Sequence, residues 1–188
     1  MRTLRHIFSL WFSLLLATAV AEEKSAQTSA AKNALANRAV VLARAADNRE
    51  LAALTQMAQA RALETQAAEL QENGPTEEGE TETVVCKRVG QLQMSAAHLY
   101  GLAAANFDMA AANQQRVAEL YARLGRAEQK LAAQASATGL KLQGDQVIDL
   151  AGAACEKASV VYDKAGHSVE VANASQQAVV WQEKLATR

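Results

Sequence analysis

Two cysteines, two well-separated histidines beyond the N-terminal segment that holds His6, and a short run of glutamates are the side chains here best suited to cross-linking, metal binding or proton transfer. Cys86 and Cys155 form no CxxC pair, and His98 and His167 stand far apart with no clustered partners. No H-E-x-x-H pattern, no glycine-rich phosphate loop and no EF-hand spacing occurs. A Ser/His/Asp site would need a nucleophile elbow or its equivalent, and none is present. Glu77, Glu78, Glu80 and Glu82 crowd one polar stretch and read as a solvated loop rather than as paired acids. Trp181 and Tyr162 are single aromatics on alanine-rich segments and read as gap fillers. The expectation is a chain that is not an enzyme, with no cofactor, no metal and no catalytic residue.

The remaining chemistry concerns the compartment. Arg2 and Arg5, the apolar run Ile7 to Leu16, and Ala19-Val20-Ala21 together form a secretory signal over residues 1–21. The run is too short to span a bilayer comfortably, which takes about 20 residues. No lipid-attachment cysteine follows it. Asn173-Ala174-Ser175 is an acceptor triplet, so Asn173 is a glycosylation candidate in a eukaryotic secreted chain. Removing Arg2 and Arg5 with the signal leaves 17 basic against 20 acidic residues, a net charge of −3. That balance, without a basic stripe, argues against nucleic acid as a partner. The expected place is outside the cell or on the outer face of its membrane, with membrane contact only through an anchor not visible in the chain.

Those residues must be positioned by helices. Half the chain is apolar, only 4 % is aromatic, and much of the apolar share is alanine. Alanine favours helix and buries little area, so its natural use is to let long helices approach closely. Asn73-Gly74-Pro75 punctuates the chain and opens an acidic loop over 73–81. Thr138-Gly139 reads as a helix stop and Gly144-Asp145 as a start, with Asp145 as N-cap. The expected fold is all-α: one domain over 22–188, an elongated antiparallel three-helix bundle with coiled-coil packing. Its helices run over about 24–72, 82–138 and 146–186.

Heptads support this. Leu35, Leu42, Leu63 and Leu70 share one seam position of the first helix; Ala39, Ala46, Ala53, Ala60 and Ala67 share the other. In the second helix the 3–4 spacing runs from Val89 through Ala96, Ala103, Ala110 and Val117 to Leu131, and in the third from Val147 to Val179. Arg49, Gln56, Asn106 and Asn113 interrupt the seams. Folding back across the acidic loop brings Arg49 to the level of Asn106, with Glu170 to Gln177 of the third helix alongside. The four are a candidate buried polar layer that fixes register at a cost in stability. If register is its whole role, leucine at Arg49 and Asn106 together raises thermal stability.

The cysteines conflict with a straight second helix. Two in a secreted chain ordinarily form one disulfide. Along the expected rod Cys155 faces residue 128, about 60 Å from Cys86 at 1.5 Å per residue, whereas a disulfide needs Cα atoms within about 7 Å. Either the second helix turns back near Gly101–Asn106 or Gly125, or both cysteines have partners outside the chain. Heptads that run through those glycines favour the second alternative.

A signal followed by an alanine-rich hairpin, then Val84-Val85-Cys86-Lys87-Arg88 and Ala153-Ala154-Cys155-Glu156-Lys157, resembles the helical-bundle surface proteins of trypanosomes, including variant surface glycoproteins. The resemblance implies an elongated coat glycoprotein, or a relative that is a receptor for a host macromolecule. It also implies a protein partner or self-association. Such proteins usually end in a glycolipid-anchor signal with a hydrophobic tail, whereas this sequence stops at Lys184-Leu185-Ala186-Thr187-Arg188. A bacterial periplasmic coiled-coil protein is the further alternative, in which the triplet at Asn173 has no meaning.

Overall fold

Glycine, rather than the heptad pattern, decides where the helices end. In the computed structural model, residues 2–75 and 81–187 are described, with side chains from Thr28 onward. The expected signal over 1–21 therefore lies outside the described side chains, and residues 76–80 of the acidic loop lie outside the described residues. Among the described residues there are four α-helices and no strand: α1 Arg2–Asn73, α2 Glu82–Arg123, α3 Ala127–Lys164 and α4 Ser168–Ala186. None is long and apolar enough to cross a membrane among the residues described.

The expectation of three helices is thus corrected to four, and the breaks fall elsewhere. Gly74, Gly125 and Gly166 have φ of 67°, 70° and 73°, the left-handed region where a Cβ is disfavoured. After α2, the Arg126 N–H donates to the Tyr121 carbonyl at 2.9 Å and the Gly125 N–H to that of Ala122 at 3.1 Å. After α3, His167 donates to Tyr162 at 3.0 Å and Gly166 to Asp163 at 3.0 Å. Each is the paired 6→1 and 5→2 closure that satisfies the orphan carbonyls of a helix end.

Thr138-Gly139 and Gly144-Asp145 do not interrupt α3. Thr138 turns its hydroxyl back onto the Gln134 carbonyl at 3.0 Å. Ala133, Ala137, Leu140, Val147, Ile148, Ala151 and Ala154 form one buried face across both glycines. Burying that continuous face outweighs the roughly 1 kcal/mol that a glycine costs a helix interior.

Consecutive helices reverse direction. α2 is central and packs on both α1 and α3, and α4 packs on α3. At 42 residues, α2 is about 63 Å long. Against it lies the alanine seam of α1: Ala39, Ala46, Ala53, Ala60 and Ala67 are all fully buried. The larger side chains Tyr100, Phe107, Val147 and Ile148 fill the space where α1, α2 and α3 meet. The expected third seam holds from Val147 to Val161 and then fails. The break at Gly166 resets the helical phase, so Ala174 and Ala178 turn inward and Val179 is left half exposed. Leu131, the expected end of the second seam, falls in α3 and is also exposed.

Candidate functional site

The seam of α1 and α2 admits polar groups at two levels. At the first, Arg49 Nη1 donates to Asn106 Oδ1 at 3.0 Å, and Asn106 Nδ2 donates to Gln56 Oε1 at 2.9 Å. Arginine only donates, so it fixes which end of the Asn106 amide it meets and leaves the NH₂ for Gln56. Asn106 is buried, whereas Arg49 and Gln56, one heptad apart on α1, reach it from less covered positions. The structure brings these three together. Asn113, one heptad further along α2, is half buried and takes no part in the layer. Nor do Glu170 to Gln177. Phe107 packs with Val147 and Ile148 at this level, while Ala174 packs with Ala158 and Tyr162 near the other end. The reversal at Gly125 accounts for the change, because it sets α3, not the last helix, beside Asn106.

The second level involves residues that the heptads do not reveal. The Tyr100 hydroxyl donates to Glu64 Oε2 at 2.7 Å, and Lys157 Nζ donates to Glu64 Oε1 at 2.7 Å. One carboxylate thereby joins α1, α2 and α3. Tyr100 is fully buried, so its phenol needs a partner; a tyrosine among alanines was the available signal. Burial first, then the Glu64 hydrogen bond and charge, push the Tyr100 phenol up to about 12. Burial also acts to raise the Glu64 carboxyl, but the hydrogen bonds from Lys157 and Tyr100 and the charges of Lys157 and Arg61 outweigh it, and the carboxyl lies below its ordinary range. The lysine is well exposed, so its ion pair is solvent-screened.

On the other side, aromatics sit in glycine notches. A Cβ at Gly90 would fall 2.5 Å from the Tyr162 ring, and one at Gly101 would collide with the Trp181 ring. Lys184 Nζ lies 5.0 Å from the centre of that ring, a cation–π distance. Trp181 also covers Cys155, which is fully buried. Burial pushes the Cys155 thiol up to about 11, against a lowering hydrogen bond with Trp181 and a raising effect of the Glu156 charge.

Cys86 and Cys155 are both free thiols. The preference for a second helix that runs straight through Gly125 is overturned, yet the reversal does not pair the cysteines. Cys155 packs beside Ala97, eleven residues along α2 from Cys86. That offset is about 16 Å, well beyond disulfide reach. Asn173 is exposed on α4, and the Ser175 hydroxyl of its triplet lies 2.8 Å from that of Ser159. His98 is exposed. His167 sits at the α3–α4 turn, edge-on to Tyr162 at 6.4 Å, with its Nε2 buried and unpartnered. Asp145, expected as an N-cap, lies inside α3. Among the described residues, no three of His, Cys, Asp and Glu converge as a metal site requires.

Comparisons with protein families, with curated proteins and with solved structures find no match to this chain.

Proposed function

We propose that the chain is a non-enzymatic structural protein of the cell exterior, an extended helical bundle with coiled-coil seams of the kind seen in surface coats. One observation carries this reading. Two sets of polar side chains that link the helices are closed on one another, Arg49–Asn106–Gln56 at one level and Tyr100–Glu64–Lys157 at the other. Their hydrogen-bonding capacity goes to register between helices. The signal over 1–21 and the exposed Asn173 add the compartment.

Expression of the full chain in eukaryotic cells tests the reading. Export of a product that begins at Glu22 and loses mass on endoglycosidase treatment, with the loss abolished by Asn173→Gln, is the expected result. Retention inside the cell with Met1 in place would contradict it.

A receptor role has one favouring observation. A groove of about 510 Å³, lined by Leu70, Leu92, Glu69 and Gln91, reaches Asn73 at the end of α1. Its mix of apolar floor and polar rim suits a protein segment. Recovery of one specific host protein, lost on Leu92→Glu, would favour this role over a purely structural coat.

A further inference from the structure

Charge is distributed unevenly along the bundle. Residues 32–44 and 116–130, which meet at the α2–α3 turn, hold seven basic against two acidic side chains. The described residues of 61–88, at the other end of α2, hold three basic against four acidic. A net charge near zero therefore conceals one basic end.

At the basic end, Arg38 of α1 and Arg116 and Arg123 of α2 line one groove of about 250 Å³ with Leu42, Leu120 and Glu119. Leu120 is buried and Leu42 half buried, and they give the groove an apolar floor; the three arginines and Glu119 are exposed around it. Glu119 is three residues from Arg116 and four from Arg123, spacings at which helix ion pairs form. Among the described residues, however, none of these four charged groups makes a hydrogen bond or ion pair. Three guanidiniums and one carboxylate leave the groove with two uncompensated positive charges. Like charges facing one cleft repel, and a cleft with low-dielectric walls concentrates their field on an incoming anion. Guanidinium is the cation whose planar fork matches a tetrahedral oxyanion bidentately.

We propose that this groove binds a phosphate monoester, with Arg38, Arg116 and Arg123 around the oxyanion and Leu42 and Leu120 beneath the carbon body that carries it. The monoester is either a small soluble one or a lipid headgroup. Binding of the first is electrostatic in origin and weakens as salt rises.

The test uses the full chain at low ionic strength. Glucose 6-phosphate, titrated calorimetrically, reports the soluble source. Phosphatidylcholine vesicles with and without phosphatidic acid, in a flotation assay, report the lipid source. Arg38→Gln, Arg116→Gln and Arg123→Gln should each weaken the phosphate response by about tenfold, as expected for loss of a charge-assisted hydrogen bond. Lys130→Gln removes the same charge at the same end but outside the groove, and should change the response less than about threefold. Circular dichroism of each variant keeps loss of fold distinct from loss of binding. Response to glucose 6-phosphate alone assigns the soluble source; response only to phosphatidic acid vesicles assigns the headgroup. No response to either probe, or equal losses for Lys130→Gln and Arg116→Gln, would overturn the proposal.

Discussion

The two faces of α2 are built on different principles. Toward α1 it presents a repeat: five alanines of α1 at seven-residue spacing are fully buried, and the polar layer interrupts that repeat in register. Toward α3 and α4 it presents individual fittings, with Tyr162 in the Gly90 notch and Trp181 in the Gly101 notch. A repeat can slip by one heptad and still bury alanine, so it needs polar groups to fix its phase. A ring seated on a glycine has one place to go. The first interface is specified by periodicity plus polar punctuation, the second by shape.

Substitutions that break this contrast follow in order of size. Trp181→Ala removes the ring that holds α4 over Gly101 and Cys155. A loss of about 3 kcal/mol is expected, at the low end for a large aromatic because the ring is partly exposed. Hydrogen exchange should show α4 opening while α1 and α2 stay protected. Gly101→Ala should cost about 2 kcal/mol, because overpacking against Trp181 outweighs alanine's helix advantage. Combined with Trp181→Ala, the glycine substitution should lose most of its cost, since the two residues touch.

The repeat side should respond differently. Asn106→Leu alone takes the partner from half-buried Gln56, while exposed Arg49 turns to water, and should cost about 1 kcal/mol in chemical denaturation. Leucine at Arg49, Gln56 and Asn106 together should return stability to that of the parent or above it, since a hydrophobic layer replaces a polar one. Failure of the triple variant to recover would show that the layer stabilises as well as specifies.

The smallest effect is on pH dependence. The hydrogen bonds from Lys157 and Tyr100 hold the Glu64 carboxyl below its ordinary value of 4.5. Its contribution is therefore present above pH 4.5 and fades as pH falls through the lower folded value. Tyr100 is raised from 10.0 to about 12, so its contribution is full below pH 10 and fades as pH rises toward 12. Urea midpoints against pH should show both limbs, and Glu64→Gln should flatten the acid limb.

The helical class, the first break and the alanine seam of α1 were legible in the sequence because they rest on composition, on Asn73-Gly74-Pro75 and on a seven-residue repeat. The count of helices was not. Gly125, Gly139, Gly144 and Gly166 are chemically equivalent in sequence, yet two terminate helices and two lie inside one. What separates them is the buried face that runs on through α3, a tertiary property. The level of Arg49 follows from the short α1–α2 connection, which fixes register. Glu64 and Lys157 were invisible because each meets Tyr100 or its carboxylate partner across helices, at positions that no single-helix pattern singles out.

Reversal at Gly125 is what makes α2 the shared centre of both interfaces, and one distance tests it. With Cys86→Ser and Cys155→Ala removing the native thiols, spin labels at Lys87 and Asp163 report the span between the start of α2 and the end of α3. Gly90 meets Tyr162, so the two labels lie almost level, and pulsed electron resonance should give a distribution centred below about 25 Å. A second helix running straight to residue 138 would instead set Asp163 level with residue 120, about 50 Å from Lys87 along the axis. A distribution centred there would contradict the four-helix account.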